Sequence, residues 1–151
     1  MALSPEVLIY RWFNEVWNEG REETIDELCA SGAVGHGLGE AGTDTHGPDA
    51  FKVFFRNLRT AIPDLHVRIE DAIVQSEKAA VRLRLDGTHL GPGLGIPPSG
   101  RSVSIAGIVI VRVIKGQIAE AWNNWDQLGL LKQIGAIPAS STADRFLSAN
   151  V

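Results

Sequence analysis

The chain has 151 residues, 44% of them hydrophobic and 21% charged, which suits one domain with an ordinary core. Its net charge of -4, with Lys and Arg scattered, argues against the broad basic field that phosphate backbones need, so nucleic acid is not an expected partner. The apolar runs fall short of the roughly 18–20 residues that cross a bilayer, the first residues lack a leader's charged-then-apolar pattern, and the lone Cys29 excludes an internal disulfide. A cytoplasmic protein without membrane contact is the default expectation, and the lack of closely spaced Cys and His pairs predicts no metal.

Ser4 and Pro5 read as the N-cap and first residue of a helix over about 5–19, in which Ile9, Phe13, Val16 and Trp17 recur at helical spacing until Gly20. Ile25, Leu28 and Cys29 share a face of a shorter helix near 22–30, so burial explains Cys29 better than nucleophilic chemistry does. The stretch Gly32 to Gly47 is Gly-rich and carries His36, Asp44 and His46, which predicts a loop with room for a short strand at Ala33 to His36. Pro48 starts a third helix whose Phe51, Phe54, Phe55, Leu58 and Ile62 form an apolar stripe before Pro63 ends it.

From His66 the period changes to two. Val67 to Glu70 and Ala79 to Leu85 alternate across a turn at Ser76-Glu77-Lys78, which predicts a hairpin. After the Gly/Pro-rich connection Gly87 to Gly100, the β-branched Val103 to Ile114 and the segment Ile118 to Trp122 flank Lys115-Gly116 as a second hairpin. Helices first and strands afterwards predict an α+β domain, its helices gathered on one face of a curved antiparallel sheet. A parallel α/β fold is disfavoured, because the strands after residue 65 lack crossover helices between them.

With Lys115 and Gly116 as the loop, the register pairs Val109 with Trp122, Gly107 with Asn124 and Ile105 with Asp126. Trp122, Asn124 and Asp126 then share one face, and a one-residue bulge before Asp126 would reverse its direction. Gly107 leaves space beside Asn124 for a ligand or bends the sheet; spacing alone does not choose. Asp126 also precedes Gln127 to Ile134 and Gly135, a short helix that it would cap. A cap would favour its carboxylate, whereas an apolar cavity would favour its neutral acid.

The run Trp122-Asn-Asn-Trp-Asp-Gln-Leu-Gly-Leu-Leu-Lys-Gln-Ile-Gly135 resembles the C-terminal signature of SnoaL-like polyketide cyclases. Trp17-Asn-Glu-Gly-Arg, His46-Gly-Pro-Asp-Ala-Phe, Ala61-Ile-Pro-Asp-Leu-His, Gly87-Thr-His89 and Ile96-Pro-Pro-Ser-Gly-Arg101 fit the family in the same order, over roughly residues 5–135. The resemblance implies an NTF2-like cone, a curved antiparallel sheet wrapped by helices around a cavity. The resemblance stops short of the tail, residues 138–151, which follows the domain 1–137; the composition of the tail favours fraying, while Phe146 and Leu147 suggest docking on a neighbouring subunit. The resemblance also implies a homodimer and ring closure in an aromatic polyketide methyl ester by intramolecular aldol reaction, without metal or organic cofactor, with Asp126 as acid and base.

His89 keeps phase with Val81, Leu83 and Leu85, so it reads either as an oxyanion donor beside Asp126 or as a hydrogen-bonded sheet histidine. His36 between glycines, Asn124 by register, and the aromatics Phe13, Trp17, Phe55 and Trp122 are the expected substrate contacts. Two rival readings stay open: a non-catalytic module that binds a small ligand or dimerises, and an isomerase or hydrolase on the same scaffold. A hydrolase relay would need Arg84, Asp86 and Asp126 to meet.

Overall fold

The computed structural model describes residues 2–39 and 42–138, so Phe146 and Leu147 lie outside the described residues. Helix α1 (Pro5–Arg11) begins where expected, with Pro5 in its first turn and the Ser4 hydroxyl accepting the Val7 N–H at 3.3 Å. It continues into a π-helical segment, Trp12–Asn18, whose wider turn shows in the Glu19 N–H bond to the Asn14 carbonyl at 2.9 Å. The expected helix therefore has the right extent and a different pitch. Trp12 and Trp17, five residues apart, both meet Phe51, at centroid distances of 4.9 and 5.8 Å.

Helix α2 (Glu22–Leu28) ends one residue before Cys29, which instead opens strand β1 (Cys29–His36). Burial pushes the Cys29 thiol up to about 11, so it stays protonated in the core near neutral pH. After β2 (Thr45–His46) comes α3 (Gly47–Ala61), then β3 (His66–Gln75), β4 (Lys78–Thr88), β5 (Ser102–Ile114), β6 (Gln117–Trp125) and α4 (Gln127–Gln133). Lys115 and Gly116 have φ of 52° and 75°, the backbone that a two-residue hairpin turn requires.

The strands form one curved, open sheet in the order β2-β1-β6-β5-β4-β3. Every pair is antiparallel except β1 with β6. That parallel pair corrects the all-antiparallel expectation: residues 37–116, about half of the chain, separate the two strands, which satisfies the long crossover that parallel neighbours need. Along β4, Ala79, Val81, Leu83 and Leu85 are buried; along β5, Val103, Ile105, Val109 and Val111 are. α1, the π segment and α3 join this inner face in a single core.

The outer face of β5 exposes Ile108, Ile110 and Ile114. Ala119 is the extra residue of a bulge in β6, since Val113 pairs with Ile118 but Arg112 with Glu120. Beyond it the register is shifted by one: Gly107 lies opposite Trp125, Ile108 opposite Asn124, Val109 opposite Asn123 and Ile110 opposite Trp122. The expected pairing of Gly107 with Asn124 and Val109 with Trp122 is thereby overturned. Asn123 and Trp125 turn inward, and Trp122 and Asn124 turn outward.

Candidate functional site

The inner face encloses a cavity of about 470 Å3. Trp17 of the π segment, Phe54 and Leu58 of α3 and the adjacent Ile62 form one side, while Val67, Leu85, Ile105 and Trp125 form the sheet side. Leu94, the turn Gly37 to Gly39, and Gln127, Leu130 and Leu131 of α4 complete the wall. Gln127 is the wall's one carboxamide side chain, the two indoles carry its other side-chain N–H groups, and no lining side chain is ionisable. Such a wall selects an apolar ligand and fixes it with few polar contacts.

Gly37 holds the mouth in place. Its φ of +83° suits glycine, and a Cβ there would collide with the Asn123 carbonyl oxygen. The Asn123 amide donates to the His36 carbonyl at 2.9 Å, which ties this turn to β6. Beside the large cavity lies a smaller one of about 60 Å3, reached by Phe13, Cys29 and Asn123.

Asp126 follows the last residue of β6, and its N–H bonds the Ala106 carbonyl at 3.1 Å. Its Oδ1 accepts the Gly129 N–H at 2.9 Å, so it caps α4 as the sequence allowed. The side chain is exposed and does not line the cavity, although both neighbours in sequence, Trp125 and Gln127, do. Asp126 therefore sits on the rim, with one carboxylate oxygen engaged by the helix.

His89 is fully buried, in the phase expected, but lines neither cavity. The Ser99 N–H donates to its Nδ1 at 3.1 Å, with the Ser99 hydroxyl 2.9 Å away. Because a backbone N–H can only donate, a neutral His89 carries its proton on Nε2, which has no partner among the described residues. The His89 N–H bonds the Arg101 carbonyl at 2.9 Å and its own carbonyl accepts from Gly100 at 2.8 Å. His89 thus fastens both ends of the loop that brings Leu94 to the cavity.

Among the other expected contacts, Trp17 lines both cavities and Phe13 the smaller one. Phe55 lies behind the wall, its ring 5.4 Å from that of Trp17. The bulge carries Trp122 and Asn124 to the outer face, and His36 lies against Trp122 there, with ring centroids 5.5 Å apart. The geometry from which a substrate contact was expected of these three is therefore absent. Phe54, Trp125, Gln127, Leu130 and Leu131 take up the wall instead; the inward turn of Trp125 was signalled only by Gly107.

Arg84 extends along the outer face to Glu70 and Ser104, each at 3.3 Å, so it is not joined to Asp126 in an acid–Arg–acid relay. Among the described residues, no three His, Cys, Asp or Glu side chains gather to hold a metal ion, and no helix is long and apolar enough to cross a membrane.

His36 bridges the loop and the sheet. Its Nε2 lies 2.7 Å from Glu120 and its Nδ1 3.0 Å from Asp44, while Arg112 contacts Glu120 at 3.3 Å and Lys78 sits over the Trp122 ring at 5.5 Å. Hydrogen bonds to Glu120 and then Asp44 hold the His36 pKa above the usual histidine value, and the bond from His36 holds the Glu120 pKa below the usual carboxylate value. The stabilisation from His36 is therefore fully present below the unfolded histidine pKa and fades as pH rises through the raised folded value. Thermal melting across this range should show His36→Gln less stable than the wild type on the acid side and equal to it on the alkaline side. A gap independent of pH would reject the charged bridge.

The SnoaL-like polyketide cyclase family matches residues 7–134, and the chain belongs to that family. It is 27% identical over 135 residues to aklanonic acid methyl ester cyclase DauD of Streptomyces sp. (strain C5), spanning 88% of this chain and 83% of the relative. Nogalonic acid methyl ester cyclase of Streptomyces nogalater is 28% identical over 121 residues, or 79% and 89% of the two chains. A solved structure from Jannaschia sp. CCS1 superposes with a TM-score of 0.78 at 27% identity, covering 89% of this chain and 93% of its own.

Proposed function

We propose that this protein is a cofactor-independent ester cyclase that closes a ring in an apolar polyketide methyl ester by intramolecular aldol condensation. The observation that carries the proposal is a cavity of about 470 Å3 with no ionisable group in its wall, together with the carboxylate of Asp126, whose sequence neighbours Trp125 and Gln127 both line it. The relatives DauD and the Streptomyces nogalater enzyme carry names for cyclases of methyl esters, which supports the choice of substrate class.

Asp126 takes a proton from the carbon activated by the ester, leaving an enolate. The enolate carbon attacks a ketone carbonyl of the same molecule, the new C–C bond forms, and the electron pair of the C=O bond becomes an alkoxide. The protonated Asp126 then returns its proton to that oxygen. Gln127 donates to the ligand carbonyl, and the apolar wall excludes water from the enolate. His89 acts through the loop it anchors.

Incubation with aklanonic acid methyl ester and nogalonic acid methyl ester, each beside its free acid, tests the reading by chromatography of products. Ring closure of an ester is the expected result; binding without turnover of either ester would reject it. That second outcome belongs to a binding module, which the Gly129 bond to Asp126 favours.

A homodimer is part of the same proposal, and the exposed outer face supports it: Ile108, Ile110 and Ile114 are 53%, 39% and 37% accessible. Light scattering should report twice the chain mass for the wild type and the single mass for an Ile108→Glu, Ile110→Glu double variant. A monomeric wild type would reject the dimer and leave the chemistry untouched.

A further inference from the structure

Trp17, Leu38 and Trp125 line both the large and the small cavity, so these three side chains form the partition between them. Trp125 is built into that place. The bulge at Ala119 turns it inward, and Gly107 opposite it makes room, because a Cβ on Gly107 would overlap the indole ring. Behind the partition, the small cavity of about 60 Å3 is walled by Phe13, Phe51, Val109 and Val111, all apolar and buried.

We infer that Trp125 sets the depth of the cavity and thereby selects ligands whose inward end carries only a short substituent. The inference rests on the proposed binding of an apolar ring system in the large cavity. The indole is a stop fixed from one side: its ring is packed over the Gly107 backbone, with the small cavity walled by Val109 and Val111 behind it. A smaller residue at 125 would join the two spaces into one longer apolar slot. Each methylene that then leaves water would raise affinity by about fourfold, the equivalent of burying one CH2 group.

Equilibrium dialysis of 2-methyl-, 2-ethyl- and 2-pentylanthraquinone against the wild type, Trp125→Leu and Leu38→Ala tests this. The wild type should bind the pentyl compound at least about tenfold more weakly than the ethyl one, as overpacking of a rigid wall implies. Trp125→Leu should make the pentyl compound the tightest of the three. Leu38→Ala should shift the order the same way by a smaller factor; Leu38 is in a loop, so this variant decides the matter if circular dichroism shows Trp125→Leu unfolded. An unchanged order in the folded variants would overturn the depth role while leaving the cavity's ligand class intact. Failure of all three compounds to bind the wild type would overturn both.

Discussion

Asp126→Asn is expected to lower turnover of a methyl ester substrate by about 10²–10⁴ while leaving the melting temperature nearly unchanged. The substitution separates the two roles of the residue. Asn caps a helix about as well as Asp, so the bond from the Gly129 N–H survives, whereas a carboxamide cannot take the substrate's proton. The loss should fall on kcat more than on KM, because the proton moves only in the transition state. Asp126→Ala removes the cap as well and should cost about 1 kcal/mol of stability in addition. Were capping the residue's only role, Asn would be harmless and Ala mildly destabilising, with turnover preserved in both.

Gly107→Val is the second large effect expected. The added side chain would enter the space of the Trp125 ring, and overpacking of a filled site costs about 1–3 kcal/mol. Trp125→Leu alone should also destabilise, by leaving a cavity. Together they should cost clearly less than their sum, with a coupling of about 1 kcal/mol or more, because each relieves the fault the other creates. Denaturant titration of the four proteins measures this. Additive losses would place Gly107 and Trp125 apart and restore the unbulged register.

The hairpins were legible because alternation survives in β4 and β5, where every second residue is buried. The three helices preceding them were legible from Pro and Gly at their ends and from apolar spacing, though spacing could not reveal the π pitch of Trp12–Asn18. Of strand β1 only the stretch from Ala33 to His36 was legible: Cys29 read as helix and the residues between as loop, and the partner strand β6 lies far along the chain. A parallel pair between such distant segments leaves no local pattern.

The site was harder to read for a related reason. In Trp122-Asn-Asn-Trp125 a two-residue period makes Trp122 look inward and Asn123 share the opposite face with Trp125. The bulge reverses this, and the outer Trp122 is covered by His36 and Lys78 rather than by the core. Asn123 can face inward because its amide finds the His36 carbonyl. Gly107 carried the true signal, a gap cut for a ring, but pointed to the wrong partner until the register was known. The capping bond of Asp126 was visible from Asp126 and the helix pattern after it; its place on the rim needed the cavity.

In the proposed reaction Asp126 moves a proton on a ligand held in the apolar cavity. Mass spectrometry of solvent deuterium entering the activated carbon of a methyl ester substrate, with wild type and Asp126→Asn compared in D2O, follows that proton. Exchange should be catalysed by the wild type and fall to the uncatalysed rate with Asp126→Asn; equal exchange by both proteins would remove Asp126 from the proton transfer.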